Sequence, residues 1–149
     1  MPATASVHGA SDPRGALQRD LLPAAAWREL SRSHLAALEA LRTRWRLTAC
    51  QTSAILWIPV ADLAFDPVDE PIALQPESLE RLALADDIDL TVARLLGSEE
   101  LVAFWLRMPN SVLGETPIAA LMRQTSQLRQ LRWRLRGELA DRRAARNPS

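Results

Sequence analysis

The sequence predicts an all-α fold, a compact bundle of about seven helices. Three observations point there. Apolar residues recur at three- and four-residue steps along most of the chain. Residues that open and stop helices punctuate those stretches. No segment alternates apolar and polar residues over the length of a strand.

Taken in order, residues 1–22 are rich in Ala, Ser, Pro, Gly and Asp and read as a disordered leader. A helix is expected from near Pro23, with Ser31 or Ser33 as N-caps for a restart. Leu35, Leu38, Leu41 and Trp45 form its apolar face, with His34 at the boundary. Thr48 caps a short helix that contains Cys50 as a small filler and Ile55 and Leu56 as its apolar part. Pro59 ends that helix or begins the next, and Val60 to Phe65 suffice for one or two turns. Residues 66–76, DPVDEPIALQP, hold three prolines in eleven residues and read as an acidic, extended loop.

Pro76 is expected to open the longest helix, running to about Leu96. Glu77 and Glu80 suit its positive end. Leu84, Ile88, Val92 and Leu95 make a stripe, and Asp86, Asp87 and Asp89 are expected mostly on the other side. Those three acids lack the ligand spacing and glycine of a calcium loop. Gly97 stops this helix and Ser98 caps the next. Leu101, Phe104, Trp105 and Met108 stand at i, i+3, i+4 and i+7, which predicts a core-facing stripe with Trp105 in the core. Pro109-Asn110 stops it.

Asn110 to Glu115 reads as a turn, and Thr116-Pro117 as the cap and first residue of a short helix through Ile118, Leu121 and Met122. Thr125 or Ser126 is expected to cap the last helix, with Leu128, Leu131, Leu135 and Leu139 as its stripe. Arg129, Arg132 and Arg136 share another face, and Trp133 lies off the stripe. Residues 141–149 are expected to fray.

Composition narrows the chemistry. The 149 residues fit one domain with a tail, at roughly 100–200 residues per domain. All 18 basic residues are Arg, so neither a Schiff-base lysine nor a phosphate-loop lysine is available. Tyr is absent, His8 and His34 are the only histidines, and Cys50 is the only cysteine. The five glycines are scattered. A non-enzymatic protein without metal or cofactor is expected. No run of apolar residues is long enough for a membrane span, and no secretory stretch opens the chain. With one cysteine, a reducing cytoplasm is the expected setting. The zero net charge hides blocks of +3 over residues 1–60, −9 over 61–100 and +6 over 101–149. These blocks can neutralise one another in the fold, or the basic block can meet an acidic partner or nucleic acid.

One ordered series of residues goes further. Leu74, Pro76, Glu77, Glu80-Arg81-Leu82, Leu96-Gly97, Trp105-Leu106, Pro109-Asn110, Leu113-Gly114 and Thr116-Pro117 follow one another over residues 74–121. In this order and spacing the segment resembles the Xre/MbcA/ParS antitoxin family. The resemblance reaches more weakly upstream, to about residue 30. It implies a helix-turn-helix-like part over 23–73 and a toxin-binding helical part over 74–140. It also implies an antitoxin that occludes a RES-type, NAD-consuming toxin, with a homodimer as a further association. The partner-binding candidates are Asn110, Leu113, Gly114, Arg129, Arg132, Trp133 and Arg136. For Arg129, Arg132 and Arg136, a solvated face or pairing with the acids of the 76–96 helix is the competing reading.

The helix-turn-helix is degenerate. Trp57 or a neighbour occupies the place where the turn usually has Gly. The recognition helix, roughly Pro59 to Asp66, has no Arg, Lys, Asn or Gln to read bases, and it carries Asp62 and Asp66. Nucleic-acid contact is left to Arg42, Arg44 and Arg46, which could touch phosphate without sequence preference. The competing functions are therefore a DNA-binding regulator of the same family, or a helical dimerisation or adaptor module.

Overall fold

The structure is a computed structural model that describes residues 24–63 and 74–147, with side chains from residue 33 onward. The expected leader, most of the proline-rich loop, Phe65 and Asp66, the Trp27 side chain and the last two residues lie outside the described part. Among the described residues there are seven helices and no strand. They are α1 (Ala24–Trp45), α2 (Ala49–Leu56), α3 (Val60–Leu63), α4 (Pro76–Leu96), α5 (Glu100–Arg107), α6 (Pro117–Leu121) and α7 (Thr125–Arg146). No helix among them is long and apolar enough to cross a membrane.

The helix boundaries follow local chemistry. α1 runs through Ser31 and Ser33 without a restart. Thr48 caps α2 by accepting from the Gln51 N–H, while Gln51 returns the bond to the Thr48 N–H. Pro76 sits in the first turn of α4. At 21 residues α4 is one shorter than α1 and α7. Three helices stop on a left-handed residue, and only one of these is glycine. Gly97 ends α4 at φ 76°, but Arg46 ends α1 at φ 54° and Trp57 ends α2 at φ 57°. The left-handed conformation costs a non-glycine residue about 1–2 kcal/mol, so tertiary contacts must hold both.

α4 is the axis. It packs on α7, α5, α1 and α2. One continuous core runs from Leu38, Leu41 and Trp45 through Ile55, Leu82, Ile88 and Val92 to Leu106, Leu121, Leu128 and Leu131. The upstream and downstream parts therefore share a single core.

Two polar nodes lie inside it. The first is Arg81, fully buried. Its Nε donates to the Ile55 carbonyl at 2.6 Å, Nη2 to the Leu121 carbonyl at 2.7 Å and Nη1 to Thr125 Oγ1 at 3.1 Å. The Thr125 hydroxyl in turn donates to Glu77 Oε1 at 2.8 Å. The Trp57 ring lies against the guanidinium, 4.1 Å from its centroid. Burial lowers the Arg81 pKa, and the Glu77 carboxylate opposes that shift. The second node is Asp89. It is buried rather than on the outer side of α4, and it accepts from Trp45 Nε1 at 2.7 Å and Arg44 Nε at 2.8 Å. Asp86 also faces Arg44, at 3.5 Å.

α5 is rotated from its expected setting. Val102, Ala103 and Leu106 are buried, whereas Leu101, Phe104 and Met108 are exposed and Trp105 is half-buried. At about 100° per residue, Val102, Trp105 and Leu106 in ELVAFWLR lie opposite Glu100 and Arg107, so the i, i+3, i+4, i+7 spacing marked a stripe rotated away from the most apolar side of the helix. Arg107 fixes the setting. Its guanidinium donates to the carbonyls of Trp45 and Arg46 at 2.8 Å each, which pins α5 to the end of α1. α7 also departs from expectation. It continues as helix through Arg146 instead of fraying after Ala140. Thr125 is its first residue, turned inward to Arg81, and not its cap. Cys50 is exposed on α2 rather than a filler.

Arg81→Met keeps the aliphatic stem but leaves two buried carbonyls and the Thr125–Glu77 pair without their donor. Urea unfolding should show a loss of about 3–5 kcal/mol, as for breaking a buried charged network from one side. A loss below about 1 kcal/mol, the range of exposed pairs, would show that the network carries no stability.

Candidate protein-binding site

The Asn110–Glu115 turn is built from its own residues. The Asn110 Oδ1 accepts from the N–H groups of Val112 at 3.0 Å and Leu113 at 3.2 Å. The Gly114 N–H bonds back to the Asn110 carbonyl at 2.9 Å, and Gly114 holds φ 72°, a conformation that favours glycine. The Asn110 N–H meets the Glu115 carbonyl at 3.2 Å, closing the loop as one isolated antiparallel bridge. Thr116 caps α6 through the Ala119 N–H at 3.3 Å. Arg123 grips both Glu115 oxygens at 2.8 and 2.6 Å, and that bond raises the Arg123 pKa. The result is a stiff hairpin that tucks Leu113 against the core and leaves Val112 70% exposed.

Between this hairpin and α7 runs a groove of two adjoining depressions, about 310 Å³ and about 220 Å³. Val112, Leu113, Leu131 and Arg134 belong to both. Val92, Leu95, Leu96 and Trp105 extend the apolar floor, and Asn110 stands at its edge.

The other candidates lie elsewhere on α7. At about 100° per residue, Arg132 flanks the Leu128–Leu131–Leu135 stripe on one side and Arg134 on the other. Trp133 points away from the core and is 79% exposed. Arg129 bonds Glu80 at 2.6 Å. Arg136 and Arg132 approach Asp87 Oδ2 at 2.8 and 3.7 Å, but neither makes a hydrogen bond to that shielded oxygen, so charge alone holds it. The three arginines thus pair with the acids of α4 within the fold. The predicted set divides in two: Asn110, Leu113 and Gly114 form or adjoin the groove, while Arg129, Arg132, Trp133 and Arg136 lie on the remaining surface of α7.

Sequence reasoning passed over Val112 and Arg134. Arg134 could have been found from its register. It stands three residues after Leu131, on the side of the stripe opposite Arg132.

The nucleic-acid candidates are scattered too. Arg44 is committed to Asp89 and Asp86. Arg42 lies 3.8 Å from Glu39. Arg46 is exposed, and its carbonyl is taken by Arg107. The described part of the would-be recognition helix is the single turn α3, which carries Asp62.

Compared with known proteins, the chain matches no family model, no curated protein and no solved structure.

Replacing Arg129, Arg132 and Arg136 together by Ala should cost at most about 3 kcal/mol, under about 1 kcal/mol for each exposed pair. The deficit should shrink in high salt, which screens such pairs. Melting curves at low and high NaCl check this. A salt-independent loss would place their contribution in packing.

Proposed function

We propose that this chain is an antitoxin-like protein that binds a RES-type, NAD-consuming enzyme and occludes its active site. The observation that supports this most is where the resembling residues fall. Pro76 opens α4, Glu77 and Arg81 sit in the buried network, Gly97 stops α4, and Pro109 to Pro117 build the hairpin and the next cap. These residues occupy positions on which the packing depends, and this supports the reading.

Occlusion suits a rigid surface with apolar anchors. Val112 and Trp133 supply large exposed side chains on elements that need no reordering, which lowers the entropic cost of docking. A second reading, a dimerisation module, draws on one observation, the exposed Leu101 and Phe104 on α5 and the exposed Met108 just after it. A promoter-binding regulator has less support, because Arg44 is already paired and α3 bears an acid.

Co-expression with a RES-domain protein encoded beside this chain tests the proposal. Restored growth and co-purification of the two proteins are expected. Undiminished toxicity with no complex contradicts it, and a homodimer that ignores the RES protein favours the second reading.

A further inference from the structure

We propose that the groove between the Asn110–Glu115 hairpin and α7 docks a short linear segment of a protein partner in which a carboxylate neighbours an apolar side chain. This rests on the preceding reading only in taking the partner to be a protein.

Charge and shape together point to this occupant. Five charged residues line the two depressions, Glu115, Arg123, Arg134, Glu138 and Arg142. Both acids are already occupied. Glu115 is held by Arg123, and Glu138 accepts from Arg142 at 2.9 Å. Arg142 also donates to the Leu95 carbonyl at 2.8 Å. Arg134 makes no ion pair among the described residues, although it belongs to both depressions. Among the described residues, the groove therefore presents one guanidinium outside an ion pair over a floor of Leu95, Leu96, Leu113 and Leu131.

A guanidinium binds a carboxylate through two parallel N–H bonds, a geometry an ammonium cannot offer. The aliphatic floor needs an apolar side chain next to it. Val112, at the lip, is 70% exposed and supplies more apolar surface that the described residues leave uncovered. Nucleic acid fits poorly, because its affinity grows with the number of phosphates neutralised and, among the described residues, this groove has one cation outside an ion pair.

Selection of random dodecapeptides displayed against the full chain tests the assignment. Enriched peptides should join Asp or Glu to Leu, Ile, Phe or Trp. Arg134→Glu and Val112→Asp should each weaken binding of the best synthetic peptide by about tenfold or more, the scale of one charge-assisted or anchoring contact. Both side chains are exposed, so the variants should melt like the parent. Phe104→Ser and Leu90→Ser, exposed elsewhere, should bind normally. The proposal is overturned if no peptide is selected, if selection shows no acidic bias, if Arg134→Glu binds unchanged, or if Phe104→Ser abolishes binding. The RES proposal fails separately. Peptides that seat in the groove without any RES complex refute that reading alone, and a RES complex that forms while no peptide seats in the groove refutes the groove alone.

Discussion

One buried guanidinium sets the relation among the elements around α4. Arg81 cannot escape burial by losing its proton, because arginine stays charged at any pH the fold meets. Its donors must therefore find acceptors in the protein. They find the carbonyls that end α2 and α6 and the hydroxyl that begins α7. Those three groups can converge only if α2, α6 and α7 meet α4 in one arrangement. The hairpin leads directly into α6, so its place beside α7 follows, and with it the groove.

The same device recurs. Arg107 closes the end of α1, and Arg142 closes the end of α4 through the Leu95 carbonyl. The last carbonyls of a helix lack partners within it and carry the negative end of its dipole. A neighbouring helix supplies the missing donors through a planar fork that can reach two carbonyls at once. This gives a physical use to a chain whose basic residues are all arginine. It also accounts for the left-handed stops at Arg46 and Trp57. The Arg46 carbonyl is held by Arg107, while the Trp57 ring covers Arg81 and its carbonyl accepts from Ser78. Glycine would relax the backbone at Trp57 but would remove the ring that shields the guanidinium.

The helices were legible in the sequence because their punctuation is local. Pro76, Gly97, Thr48 and Thr116-Pro117 act within one turn of themselves, and the structure uses each as expected. The Leu38–Leu41–Trp45 and Leu128–Leu131–Leu135 stripes were legible because polar residues flank them. The rotation of α5 was not, since Arg107 fixes it through carbonyls at the end of α1 that only the fold brings near. Asp89 escaped for a similar reason. An acid in a run of acids reads as solvated, and only the fold brings Trp45 and Arg44 to it. Of the candidate site, the turn could be read from Asn110 and Gly114. The groove could not, because it forms between segments that neighbour each other only after folding.

A rigid scaffold carries the proposed protein-binding surface. The all-α architecture, the single core and the buried arginine belong to the structure, and the antitoxin-like role is the proposal that best uses them. Hydrogen–deuterium exchange of the chain, alone and mixed with a RES-domain protein, tests the link most directly. Binding through the groove predicts added protection at the 110–115 hairpin and along the Gln127–Arg134 side of α7, with α1 to α3 unchanged. Protection confined to α1–α3, or no change at the hairpin, would contradict it.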